Sequence, residues 1–241
     1  MAGLPLLPGL ALAAELRGTG DMGLVIERAT GSVLIVDQSD RAAIGRIEGL
    51  GDLSHASVVY SPDERYAYVF GRDGGLTKLD ILEQSIAGRV VQGGNSIGGA
   101  ISDDGTLVAV SNYEPGGVRV FDAGTLEMVA DIPAEWSGGL SKTIGLVDAP
   151  GRRFVFTLWD AGETWIADFS GGGAPAVTRI AGMGDHPYDA LITADGRHYI
   201  AGLFGEDGLT ALDLWQSPPV PRRILAGSGM GEEKLPVYKM P

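Results

Sequence analysis

A self-similarity with a period of 41 to 47 residues constrains this chain more than any single motif. Segments that read as a strand ending in an acid recur as "SVLIVD" to Asp37, "LTKLD" to Asp80, "VRVFD" to Asp122, "TWIAD" to Asp168 and "LTALD" to Asp213. Their spacings are 43, 42, 46 and 45. A second marker, a polar turn feeding an apolar run, precedes four of them: "SPDERYAYVFG", "SDDGTLVAVSN", "DAPGRRFVFTLW" and "TADGRHYIAGLF". Taking Tyr66, Leu107, Phe154 and Tyr199 as equivalent gives spacings of 41, 47 and 45. The apolar runs are short and lack the three-and-four spacing of a helix, which excludes helical repeats. Each unit reads strand, turn, strand, Gly-rich loop, strand ending in Asp, turn, last strand. Four short antiparallel strands in roughly 40 to 50 residues mark the blade of a β-propeller, so the expected fold class is all-β.

Four full units run from about Ser54 to Gly229, with a partial unit before them and the start of another in "EEKLPVYKMP". That is about five blades' worth. A propeller of seven or eight blades needs more than roughly 300 residues. The expectation is therefore one partial propeller domain over residues 17–241, an open arc whose C-terminal blades are missing. Residues 1–16, "MAGLPLLPGLALAAEL", read as a signal-peptide-like leader. Their apolar run is too short and proline-broken to span a bilayer, and Ala11 to Ala14 supply small residues for cleavage. Export is expected.

Composition narrows the function classes. Glycine fills 38 of 241 positions with no Gly-X-Y period, more than twice the usual ~7 %, as many tight turns require. The net charge of −13 argues against nucleic acid or an anionic membrane as partner. Cysteine is absent, which excludes disulfides, thiolate metal sites and a Cys nucleophile. Gly18, Gly20 and Gly23 of "RGTGDMG" match the spacing of a dinucleotide-binding turn. That turn needs a strand before it and a helix after it to present N–H groups to a pyrophosphate. Here the sequence downstream, "LVIERATGSVLIVD", reads as two strands about a turn. A flexible lead-in to the first strand is the favoured reading, with an NAD-dependent dehydrogenase kept as an alternative.

In a propeller the first strand of each blade begins, and the second ends, on one face of the disc. Counting back from the turns puts Ser54-His55, Asn95-Ser96, Lys142-Thr143 and His186-Pro187 at the first of these points. Counting forward puts Arg72, Tyr113, Trp159-Asp160 and Gly205-Glu206 at the second. Two of the three histidines fall on this rung, with an arginine, a lysine and aromatic rings. Imidazole binds iron in its neutral form, Arg grips a carboxylate with a two-pronged fork, and aromatic faces cover a flat macrocycle. His198, on a strand, reads as packing or surface. No Ser-His-Asp order, His-x-x-x-His spacing, EF-hand loop or P-loop occurs.

The strings "SHASVVYSPDERYAYVFGRDGGLTKLD" and "GDHPYDALITADGRHYIAGLFGEDGLTALDLW" closely resemble the NirF family of haem d1 biosynthesis, and "RGTGDMGLVIERATGSV" and "LPVYKMP" extend the resemblance from about Arg17 to Pro241. The family is similar to the haem d1 domain of cd1-type nitrite reductase, an eight-bladed propeller. The resemblance implies a periplasmic protein of denitrifying bacteria that binds haem d1 or dihydro-haem d1 as ligand or substrate and works with nitrite reductase and other haem d1 maturation proteins. It also admits a homodimer. It makes His55 the axial ligand to the haem iron and gives Arg72 the macrocycle's carboxylates. It puts His186 on the distal side, as general acid or base if a side chain of the macrocycle is modified, with Asp185, Tyr188 or Asp189 nearby. Lys142, Tyr113 and Trp159 complete the expected ligand-binding set. A non-catalytic carrier or a docking scaffold is the remaining alternative.

Overall fold

The computed structural model describes residues 18–228, so the leader and "EEKLPVYKMP" lie outside the described residues. Only strands occur among the described residues, and no helix. The first sheet has three strands, β1 (Met22–Glu27), β2 (Ser32–Asp37) and β3 (Ala42–Ile47). The second has four: β4 (Ser57–Tyr60), β5 (Tyr66–Phe70), β6 (Gly75–Asp80) and β7 (Ser85–Val91). The third comprises β8 (Asn95–Ile101), β9 (Leu107–Glu114), β10 (Gly117–Asp122) and β11 (Met128–Ile132). A hairpin follows, β12 (Glu135–Trp136) with β13 (Gly139–Leu140). The fourth sheet holds β14 (Thr143–Ala149), β15 (Arg153–Leu158), β16 (Glu163–Asp168) and β17 (Ala176–Ala181). The fifth holds β18 (Pro187–Ile192), β19 (His198–Leu203), β20 (Leu209–Asp213) and β21 (Arg222–Ile224).

Strands within each sheet pair in chain order and antiparallel. The first strands β4, β8, β14 and β18 lie side by side in that order, the arrangement of inner strands in a propeller. Four hydrophobic clusters fill the four interfaces between successive sheets. Middle strands are therefore sandwiched on both faces. β6 is buried at every position, Thr77 and Lys78 included, and the Lys78 ammonium is satisfied there by donating to the Ala123 and Gly124 carbonyls. The outermost strands β7, β11 and β17 are mostly exposed.

The acid that ends each third strand is a turn former. Asp37, Asp80, Asp122, Asp168 and Asp213 each accept a backbone N–H two or three residues on, an Asx turn that reverses the chain into the last strand. Four residues after the acid, Arg41, Gln84, Leu126 and Gly172 all take a left-handed φ of 50° to 70°.

The polar turns correct the repeat alignment. The Ser61, Ser102 and Thr193 N–H groups donate to the carbonyls of Tyr66, Leu107 and His198, and Ala149 pairs with Arg153. The equivalent residues are thus Tyr66, Leu107, Arg153 and His198. Phe154 and Tyr199 sit one position later, where they match fully buried Ala67. An aromatic side chain anchored the expected alignment, yet a one-residue step along a strand moves to the opposite face. The glycine fingerprint also resolves. Gly23 lies inside β1, so no helix begins there.

Candidate functional site

With the corrected register, the ends of the four second strands are Arg72, Tyr113, Trp159 and Phe204. The last replaces the expected Gly205-Glu206. Three backbone bonds confirm the equivalence: the Arg72, Trp159 and Phe204 N–H groups donate to the carbonyls of Asp52, Lys142 and His186 at 2.8, 3.0 and 2.9 Å. Lys142 and His186 thus start their inner strands as expected, whereas the matching residue of the second sheet is Asp52. His55 stands three residues further on, in the loop before β4, and the two histidines are not positional equivalents.

A cavity of about 530 Å³ opens at this end of the sheets. It is lined by His55, Arg72, Tyr113, Lys142 and Trp159, five of the six expected site residues, together with Ile97, Tyr188, Asp189, Gly202, Leu203 and Phe204. His186 is outside that lining and touches it through Trp159, whose ring lies 4.5 Å away. Tyr188 and Asp189 both face the cavity although they are consecutive. The pairing of β18 with β19 shifts register between Pro187 and Ala190, and such a bulge re-aims side chains that regular alternation would send to opposite faces. The Thr157 hydroxyl fixes this stretch by donating to the Tyr188 carbonyl at 2.9 Å.

One wall is aromatic. Trp159 meets Tyr188 at 5.4 Å and Phe204 at 5.1 Å, and Tyr188 meets Phe204 at 5.7 Å. These tilted and edge-on contacts are favourable because ring edges and faces carry opposite partial charge. The Tyr188 hydroxyl lies 3.1 Å from that of Tyr113. Burial and then this phenol pairing raise the Tyr113 pKa, which keeps Tyr113 neutral. Phe204, Ile97 and Leu203 escaped the sequence reading. Phe204 was within reach of it, one residue from the expected Gly205.

The charges are unevenly paired. The Arg72 guanidinium lies over the Tyr113 ring, 5.7 Å from its centroid. Among the described residues neither Arg72 nor Lys142 has a carboxylate within ion-pair distance. Burial raises the Asp189 pKa, with His55 acting in the opposite sense. Two cations with free valence, an imidazole and a ring-lined wall are the donor set for a flat, carboxylated ligand with a metal at its centre. No group of three or more His, Asp or Glu forms a protein-only metal site among the described residues.

The model of the Cytochrome D1 heme domain family matches residues 17–241. The chain belongs to the Cytochrome D1 heme domain family. Within that family it is similar to the protein NirF of Stutzerimonas stutzeri, 64% identical over 229 residues, 94% of this chain and 59% of that protein. It is similar also to NirF of Pseudomonas aeruginosa, 63% identical over 241 residues, 99% of this chain and 62% of that protein. The resemblance to NirF read from the sequence is borne out. The chain spans about three fifths of the length of these relatives. Among solved structures it resembles the dihydro-heme d1 dehydrogenase NirN in complex with DHE, with a TM-score of 0.77 and 27% identity over 88% of this chain and 45% of that one. This family fold agrees with the propeller-type architecture of stacked four-stranded sheets.

Proposed function

We propose that this chain carries the tetrapyrrole site of a haem d1 biosynthesis protein, which binds a late iron-tetrapyrrole intermediate such as dihydro-haem d1 and modifies its side chains during nitrite reductase maturation. The observation that carries the reading is the single cavity uniting His55, Arg72, Lys142 and the Trp159–Tyr188–Phe204 wall. The fit is chemical. The ring wall covers a planar macrocycle, and the cations Arg72 and Lys142, uncommitted to carboxylates among the described residues, receive its propionates. His55 offers an imidazole to the iron, whose binding supplies the visible spectrum. The match to the Cytochrome D1 heme domain family and the similarity to NirN in complex with DHE support the same ligand class. A periplasmic location, read from the leader-like residues 1–16, and nitrite reductase as partner belong to the same proposal, as does pairing of two copies.

Titrating the protein with dihydro-haem d1 and following the Soret band tests it. Saturable binding with an imidazole-ligand spectrum is expected. His55→Ala should lose that spectrum, and Arg72→Ala should weaken binding roughly 10- to 100-fold, the loss of a charge-assisted contact worth about 1.5–3 kcal/mol. An unshifted band for the wild type would sink the proposal.

A further inference from the structure

Resting on that reading, we propose that His186 is a positioning residue that holds the Trp159 indole in the cavity wall, and that it does so through a braced chain running Arg223–Glu206–Asp185–His186. The imidazole is 4.5 Å from the indole at 55°, nearer than either of the other two rings that meet Trp159. Its Nδ1 is committed to Asp185 Oδ1 at 2.6 Å. Asp185 is anchored in turn, because its backbone N–H donates to Glu206 Oε1 at 2.7 Å and Glu206 is gripped by Arg223 at 2.6 Å. The backbone is fixed from the same side: the Phe204 N–H donates to the His186 carbonyl and the Gly205 N–H to the Asp185 carbonyl.

This bracing holds an unfavourable conformation. His186 has φ 53° directly before Pro187, a left-handed backbone where a residue preceding proline prefers an extended one. Such strain persists only where the surroundings over-determine it, and it clusters at sites of function. Two glycines make room for the brace. A Cβ on Gly205 would meet the Asp185 carboxylate and His186 Nδ1, and one on Gly184 would meet Glu206 Oε1 and Arg223. A proton-transferring histidine is also held by a carboxylate, but it must reach the reacting atoms. His186 is absent from the residues lining the cavity, while the ring it braces is among them.

The test separates ring from proton. His186→Phe keeps an aromatic face and cannot carry a proton; His186→Asn accepts the left-handed backbone and has no ring. Asp185→Asn loosens the brace. The readouts are dihydro-haem d1 affinity from the Soret titration and the near-ultraviolet circular dichroism of the ligand-free protein, with the Trp159 contribution assigned as the part lost in Trp159→Phe. Phe keeps the ring face but loses the Nδ1 link to Asp185, so it should bind more weakly than wild type and more tightly than Asn. Asn should bind roughly tenfold more weakly, the upper end of what one ring pair contributes, and should lose most of the Trp159 band. Phe binding as weakly as Asn, or Asn leaving the Trp159 band intact, overturns the proposal. If Phe does not fold, as its thermal melt would reveal, Asp185→Asn decides. A shifted Trp159 band supports the brace and an unchanged one overturns it. An unshifted wild-type Soret band would defeat the ligand reading alone, because the Trp159 band still judges the brace.

Discussion

Asp213 shows how one side chain serves fold and electrostatics together. It forms the Asx turn at the end of β20 and takes a forked contact from Arg197, whose Nη2 lies 2.6 Å from its Oδ2. The Arg197 hydrogen bonds, more than any other contact, hold its pKa down at about 2. A depressed carboxylate stabilises the fold fully above its unfolded pKa, about 3.9, and loses that contribution as pH falls through the folded value. Asp213→Asn should therefore melt at a lower temperature than wild type at pH 7, with the gap closing between about pH 4 and pH 2. Melting curves across that range check the sign. The same residue marks how far single positions were legible. The strand-ending acids were readable as turn formers because an Asx turn depends on local sequence. Tyr188 and Asp189 could be named only as neighbours of the site, since the bulge that turns both into the cavity depends on how β18 pairs with β19.

Elements of this fold are set by backbone approaches that the sequence marks with glycine and by polar groups buried between sheets. Gly74, in the turn between β5 and β6, has φ +82°, and a Cβ there would fall on the backbone of Gly93. Gly74→Ala should destabilise by about 1–3 kcal/mol, read as a lower urea midpoint with an unchanged slope. Nearby, Gln92, Ser96 and Asn112 are buried and bond one another. Gln92 Nε2 donates to Asn112 Oδ1 at 2.9 Å and Ser96 Oγ to the same oxygen at 2.7 Å, while Asn112 Nδ2 donates back to Gln92 Oε1 at 3.1 Å. Thr143 of β14 carries the network into the next sheet by accepting the Asn112 N–H. Asn112→Ala would strand two buried partners, at a cost of about 1–3 kcal/mol for each. Asn112→Asp keeps an acceptor oxygen but loses the donor to Gln92 Oε1 and buries a carboxylate, so it too should lower the urea midpoint relative to wild type. Strand order and period were legible from alternating turns and runs. The β12–β13 hairpin was not, because two-residue strands leave no pattern to read.

At the scale of the whole molecule, stability is a series of interfaces, each sheet leaning on the next. Hydrogen bonds stitch them one by one. Tyr68 and Lys78 of the second sheet donate to the Ala123 carbonyl of the third, main-chain N–H groups of Gly151 and Arg152 donate to Asp103, and Tyr199 of the fifth sheet donates to Gly145 of the fourth. The fifth sheet carries four exposed large apolar side chains among the described residues. Leu191, Phe204, Trp215 and Val220 are 54%, 62%, 66% and 60% exposed. Apolar exposure can mark an interaction surface or an aggregation liability. Trp215 and Val220 lie away from the cavity lining, so the surface can be altered without touching the site. Trp215→Gln combined with Val220→Lys should reduce binding of a hydrophobic dye and self-association in sedimentation, and should leave the Soret titration unchanged. If dye binding persists at the wild-type level in that variant, the exposed apolar surface of this chain lies elsewhere, and the outer flank of the fifth sheet is not what limits its behaviour in solution.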